Sequence, residues 1–386
     1  MDIRGLILVN TSGEGEGNEQ SFSSLPPGLL DVVGKNAVQR TAERLHRYGI
    51  SEVTAVIEGP VALANRGRSN GTPHSITTSR ERFWRVAENT FNELAQGGAE
   101  LVILIRLGAY AEVDFEKLAE FHLDRACRVS QMSYADQPME VFCISASRRN
   151  DAASLFRSQL TRCRTDCPVL EHAGYYNPLA DAHDLREFAI HILTLKTETR
   201  PAGTEVKPGV WVAQRAQVEK GARVLAPAFI GSFARIRTGA VNTRCSTVEQ
   251  HAQVDCGTVV ENSSVLPYSY IGAGLDLAHS VVGEGQLANL RRNAMIEIVD
   301  PKLIGHIAAS SGHKVLSAAA DLLTFLPRQA WRGIVGRKPV APDLTEALHQ
   351  TSPALGKAAG YEAPACNTEA ADEFPSLAVV RRYGHQ

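Results

Sequence analysis

The feature that most constrains this chain is a six-residue frame running through residues 206–266. Val206, Val212, Val218, Val224, Ile230, Ile236, Asn242, Val248, Val254, Val260 and Leu266 fall in one column, and ten of these eleven are aliphatic. A second column holds Ala216, Ala222, Ala228, Ala234, Ala240, Ser246, Ala252, Thr258 and Ser264, all small. Side chains repeat their facing about every 3.6 residues in a helix and about every 2 in a strand, so neither element alone produces this frame. A hexapeptide β-helix does. Each hexad is a short strand and a turn, and three hexads, roughly eighteen residues, close one triangular coil. The aliphatic residue fills the interior, and the small residue permits a tight corner. A β-sandwich with Ala-rich turns is the plainer alternative, but its variable strand and loop lengths would break the frame. The frame slips where Ile271 arrives one residue early, followed by Gly272, Gly274, Gly283 and Gly285. Residues 287–307 keep an apolar alternation and are expected to add the last, irregular rungs. The expectation for 201–307 is a left-handed parallel β-helix whose ends need covering.

Residues 1–200 alternate strands and helices. GLILV (5–9), VTAVIE (53–58) and LVILI (101–105) are short apolar runs of the kind buried in a parallel sheet. Residues 36–48 place Ala37, Val38, Thr41 and Leu45 on one helical face and Arg40, Glu43, Arg44 and Arg47 on the other. Further helices are expected at 80–96, 115–125, 152–162 and 181–196, and further strands at RVSQMSY and MEVFCIS; 60–79 reads as irregular. Such alternation implies right-handed crossovers and an α/β, doubly wound, largely parallel sheet. Ligands of such sheets bind at the carboxyl ends of the strands, which puts the loop after Val9 at the expected site.

The charges nearly balance, 40 Lys and Arg against 42 Asp and Glu in 386 residues, so no nucleic-acid partner is expected. The seven cysteines show no pairing pattern, and Cys163 and Cys167 lack the second pair a zinc site needs. The opening apolar run is too short for a signal peptide, and no apolar stretch of about 20 residues crosses a membrane. A cytoplasmic, reduced protein is expected.

Three stretches carry a family resemblance. GLILVNTSGEGEG (5–17) resembles the opening strand and glycine loop of the sugar-1-phosphate nucleotidyltransferases, or NDP-sugar pyrophosphorylases, of the mannose-1-phosphate guanylyltransferase-like kind. PPGLLDVVGKNAVQRTAERLHRYGI (26–50) resembles the family stretch that reads roughly PKPLLPVAGKPLIERTIERLRAAGI. GYYNPLADAHDLREFAIHIL (174–193) is similar to the family's GYWxDIGTPxDYLxANxxIL. Together with the β-helix behind them, the likeness covers most of residues 1–285. It implies a nucleotidyltransferase-like domain over 1–200. The implied reaction is attack of a sugar 1-phosphate on the α-phosphate of a nucleoside triphosphate, with pyrophosphate leaving.

The resemblance also implies a glycine loop ending in Arg, a Lys in the P-K-P motif and two Asp that hold magnesium. This chain departs at all four. Gly13, Gly15 and Gly17 are present, but no Arg follows; the lysine position falls on Pro27; the two Asp positions fall on Gly108 and Pro178. Glu14, Glu16 and Glu19 crowd the same loop. Like charges about 4 Å apart repel by about 1 kcal/mol in water and more in a protein, which opposes triphosphate binding. The remaining nucleotide-loop candidates are Gly13, Gly15, Gly17 and Lys35. Lys35 matches a family lysine near the substrate, although a Lys opening a surface helix is ordinarily just solvated. No catalytic residue and no metal ligand is assigned, and Mg²⁺ enters only if activity persists.

His183 and His191 read as solvent-facing, and Tyr175 and Tyr176 as core aromatics. His251 and His279 enter because β-helix acyltransferases use a histidine as general base; His251 reads here as a surface rung residue. Residues 308–338 hold an amphipathic segment. Its stretch 313–338 carries five basic residues against one acidic residue, which suits peripheral membrane contact or, more plainly, covering a coil end or another subunit. Residues 339–386 read as a disordered tail. Two functions compete. One is a catalytically inactive, regulatory or scaffolding subunit of sugar-nucleotide or polysaccharide biosynthesis, homo-oligomeric or paired with an active paralogue and holding a sugar phosphate or nucleotide-sugar. The other is an active nucleotidyltransferase with rewired ligands. The four departures favour the first.

Overall fold

The computed structural model describes residues 1–10, 27–59, 73–146 and 167–307. The loop carrying Gly13, Gly15 and Gly17, the helix expected at 152–162, the segment 308–338 and the tail 339–386 lie outside the described residues.

The first part is mixed α/β. Its strands are β1 (Ile3–Val9), β2 (Val53–Glu58), β3 (His74–Thr78), β4 (Leu101–Arg106), β5 (Tyr110–Ala111), β6 (Val129–Tyr134), β7 (Gln137–Ser145), β8 (Val169–Glu171) and β9 (Tyr176–Asn177). Its α-helices are α1 (Ala37–Arg47), α2 (Phe83–Gln96), α3 (Phe115–Asp124) and α4 (Ala182–Leu193). Seven strands form one sheet in the order β3-β2-β1-β4-β7-β6-β8, and β5 pairs with β9 in a separate ribbon. All seven are mutually parallel except β7, which is antiparallel to β4 and β6. The β6–β7 hairpin turns on Ala135 and Asp136, both at positive φ, as the twist of a two-residue hairpin demands. Helices cover both faces. Leu6 and Leu8 of β1 enter a core with Phe83 and Phe91 of α2, while Ile7 and Val9 enter another with Leu45, Phe115 and Phe188. Asn36, Asp114 and Asp181 cap α1, α3 and α4 by accepting backbone N–H groups. The edge strand β3 falls inside the stretch expected to be irregular; HSITT has too few apolar residues to signal a strand, and it lies only half-buried.

From Val210 the chain winds as parallel strands in three sheets. Val210 pairs with Ala228 and Ala228 with Ser246; Gln217 pairs with Arg235 and Arg235 with Gln253; Arg223 pairs with Val241 and Val241 with Val259. Each step is one three-sided coil, as the frame requires. Ile230, Ile236, Asn242, Val248, Val254 and Val260 lie inside with at most 1% of their surface exposed. Ala234, Ala240 and Ala252 sit buried at the corners.

The frame needs three corrections. Val206 is not a rung: it lies in the antiparallel strand Thr204–Lys207 and is exposed. The slip also comes one rung earlier than expected, because Thr247 pairs with Ser264 and Val248 with Val265. Val265 therefore takes the interior place, and Leu266 turns out into the core shared with the sheet. Finally, residues 287–307 add no rungs. Gln286–Asn289 and Ala294–Glu297 fold back antiparallel beside Ser280–Gly283, and Ile304–His306 lies antiparallel to Ser269–Ile271. Their apolar alternation serves a closing cover.

Sheet and coil share one core: Phe229, Leu266, Val281 and Ala288 of the coil join Ile7, Val33 and Phe188. Polar contacts fix the joint. Arg186 of α4 donates to Cys245 O (2.6 Å), Asn262 Oδ1 (2.9 Å), Ser264 Oγ (3.1 Å) and Asn262 O (3.2 Å). Glu249 of the coil is buried and accepts the N–H groups of Val33 (2.7 Å) and Gly34 (2.9 Å). Gly34 has φ +85°, and a Cβ there would lie 2.7 Å from the Phe229 ring, so the turn needs glycine for both shape and close approach.

The polar face expected for α1 is only partly exposed. Arg40 and Arg44 are buried, because residues 197–200 fold across that face. Arg40 donates to Thr199 Oγ1 (2.5 Å), Val32 O (2.6 Å) and Arg200 O (3.1 Å). Arg44 donates to Val113 O (2.6 Å), Glu198 Oε2 (2.6 Å) and Glu112 O (3.0 Å). The Glu112 carboxylate accepts the N–H groups of Glu198 (2.9 Å) and Thr199 (3.0 Å). Every side-chain nitrogen of Arg44 is paired, whereas the buried Nε of Arg40 has no partner, so burying Arg40 carries an uncompensated cost.

Candidate functional site

The chain runs from β1 outward to β2 and β3, then returns to place β4 on the other side of β1. The carboxyl ends of β1 and β4 therefore form the switch point where wound sheets leave a crevice. A cavity of about 230 Å³ opens beside the end of β4. Its apolar wall includes Leu107, Val113, Phe115, Met139 and Val141, each at most 6% exposed. Arg106 and Glu140 also border it, but strand alternation sends the Arg106 side chain to the sheet face of Leu8 and Leu104, where it meets Trp84, and that of Glu140 to the face of Phe142, opposite the apolar wall. Tyr176 completes the wall and stacks on Tyr134, centroid to centroid 4.6 Å.

The strand ends explain this placement. Arg106 closes the apolar run LVILIR of β4 at the point where it leaves the sheet. Its Nε lies 3.5 Å from Asn10 Oδ1 across the switch point, and its guanidinium sits 5.6 Å from the Trp84 ring centroid. Glu140 lies on β7, antiparallel to β4, with Oε2 3.7 Å from Arg106 Nη1. These two charges were not singled out by sequence reasoning. The available signal was a charged residue ending an otherwise apolar central strand.

The structure brings two of the expected positions together. Tyr110 pairs with Asn177 in the β5–β9 ribbon; Gly108 precedes that end of the ribbon by two residues, and Pro178 follows it directly. The positions on which the two magnesium-holding Asp would fall therefore lie at the same end of the ribbon, Gly108 lining the cavity, and neither offers a carboxylate. A Cβ at Gly108 would meet nothing within 4 Å. Lys35 does not line this cavity; its Nζ is paired with Glu43 Oε1 at 2.6 Å. Among the described residues no group of three or more His, Cys, Asp and Glu is arranged to hold a metal ion.

The remaining candidates have structural partners. His183 is exposed, whereas His191 is half-buried with Nδ1 3.0 Å from Tyr175 OH. Tyr175 packs against Tyr110 and Phe188, and burial raises its pKa. His251 is stacked between Phe233 (4.7 Å) and Tyr268 (4.9 Å) on a coil corner, and burial lowers its pKa. His279 lies 2.6 Å from Asn262 Nδ2 and is likewise lowered by burial. Cys127, Cys143, Cys167 and Cys245 are free. Among the described residues no helix is long and apolar enough to cross a membrane.

Comparison with models of known protein families finds no match, and no curated protein matches the sequence.

Proposed function

We propose that this chain is a nucleotidyltransferase-like protein of sugar-nucleotide or polysaccharide biosynthesis that has lost catalysis and acts in the cytoplasm as a regulatory or scaffolding subunit. In this reading the sheet region is the nucleotidyltransferase-like domain, and the coil is a left-handed β-helix. The observation that carries it is that Gly108, which lines the cavity, and Pro178 bracket the same end of the β5–β9 ribbon. Two positions far apart in the chain converge in space, as metal-holding residues must, yet neither carries a ligand. Mg²⁺ is held through carboxylates and phosphates, and Glu140, the carboxylate lining the cavity, faces Arg106. The joint supports the regulatory role. The Gly-Lys turn, Val33 to Lys35, is spent on docking to Glu249 and pairing with Glu43 rather than on a ligand.

A magnesium-dependent pyrophosphate-release assay across the common triphosphates and sugar 1-phosphates tests the reading. Release no faster than a no-enzyme control is expected. Turnover with any pair would replace it by the active, rewired transferase.

A further inference from the structure

We propose that Ser145, at the end of β7, is a nucleophilic serine with His122 as its general base, and that it accepts the acyl group of an activated ester. The site lies at the opposite end of the sheet from the cavity: Ser145 pairs with Leu101, the first residue of β4. The inference rests on this geometry and not on the inactive-transferase reading.

The fold brings three side chains together. Ser130 of β6 pairs directly with Cys143 of β7, and Ser145 follows Cys143 by two residues, so the two serines share one sheet face. Helix α3 covers that face with Phe115, Leu118 and Ala119, and the same buried stripe ends in His122. The imidazole is 1% exposed and is held between two hydroxyls: Nδ1 lies 2.9 Å from Ser130 Oγ, and Nε2 lies 2.8 Å from Ser145 Oγ. Ser130 is fully buried, whereas Ser145 is exposed. One hydroxyl therefore orients the ring, and the other meets solvent, where an electrophile can reach it.

The tautomer follows from Cys127. Its thiol donates to His122 O at 3.6 Å, which leaves the sulfur to accept from Nδ1–H, also at 3.6 Å. Nδ1 thus carries the hydrogen, shared with Ser130 Oγ, and Nε2 presents a lone pair to the Ser145 hydroxyl. That hydroxyl has a second acceptor, Cys127 O, but only at 3.4 Å, so the nearer imidazole takes it. A serine hydroxyl is a weak nucleophile until such a base sits within hydrogen-bond reach. Burial lowers the pKa of His122, so the ring is neutral near physiological pH and able to accept a proton. Burial raises that of Cys127, which keeps the neighbouring thiol protonated and unreactive. In the step, Ser145 Oγ bonds to the acyl carbon and its proton passes to His122 Nε2. The bond to the leaving alcohol breaks, and the alcohol departs with that proton.

Acetylation of the full-length chain by p-nitrophenyl acetate, followed over time by peptide mass spectrometry, tests this. Ser51 and Ser79, both exposed, are internal references. General-base assistance is worth about 10²–10⁴-fold, so Ser145 should acetylate at least about a hundredfold faster than either. His122→Gln should bring its rate down to theirs, with an unchanged melting temperature showing that the variant folds. If that variant does not fold, the comparison within the wild-type chain decides alone. A Ser145 rate no higher than that of Ser51 and Ser79, acetyl transfer to Cys127 in its place, or an undiminished rate in a folded His122→Gln variant would each overturn the proposal. Detection of pyrophosphate release would overturn the inactive-transferase reading and leave this one standing.

Discussion

Asn242 stands where the interior column otherwise holds aliphatic residues. It is 1% exposed, and neither its Oδ1 nor its Nδ2 has a partner. Its neighbours in the stack are Val224 and Val260. A buried unpaired amide costs about 1–3 kcal/mol, so Asn242→Val should raise stability, read as a higher denaturant midpoint with an unchanged slope. A lower midpoint would mean that the amide is satisfied in solution. Glu249 is the second residue with a measurable signature. Burial, helped by the charge of Asp31, pushes its pKa up to about 8, against the pull of the Val33 and Gly34 N–H groups and Arg40. Because the folded value lies above the unfolded one, the stability the neutral group confers is complete below the ordinary carboxylate range. It is lost as pH rises toward about 8. The midpoint should therefore fall between about pH 5 and pH 8, and Glu249→Gln should flatten that slope; an equal slope in the variant would contradict the assignment. Neither this carboxylate nor buried Arg40 and Arg44 could be read from local pattern. Their partners lie far along the chain, and α1 by itself shows an ordinary amphipathic face.

At the scale of elements, the coil is where sequence and structure agree most closely. A repeat is legible because each rung faces the same environment as the rung before it. Its ends were not legible for the same reason. Val206 continues the spacing without the environment, and residues 287–307 keep strand alternation while reversing direction. Central strands were legible as continuous apolar runs, whereas the half-buried β3 was not. The interior position of Ile230 and Val254, at 0% and 1% exposure, makes a sharp prediction. Ile230→Asp or Val254→Asp places an unpaired charge inside the coil, at a cost of several kcal/mol. Either variant should lose the cooperative unfolding transition at room temperature, followed by far-ultraviolet circular dichroism. A native-like transition would remove the coil account.

On the scale of the whole molecule, Val218 and Leu225 of the first coil remain exposed, at 43% and 51%. Exposed apolar ends of stacked repeats invite association. Light scattering should report an oligomer, and a monomer both with and without residues 308–386 would exclude one. The cavity site was legible only in outline. The end of an apolar central strand was the legible pointer, but Arg106 and Glu140 meet through antiparallel pairing of β4 with β7, which no local pattern announces. The central claim is that this crevice no longer holds a metal-bound triphosphate. Arg, Lys and two Asp are missing at the matching positions, each worth roughly 1.5–3 kcal/mol in charge-assisted contacts. Together they outweigh the roughly 5.5 kcal/mol between a 10 µM and a 100 mM dissociation constant. Calorimetric titration with each nucleoside triphosphate plus magnesium is the direct measurement: no saturable heat is expected with any of them, whereas micromolar binding abolished by Gly15→Val would contradict the account.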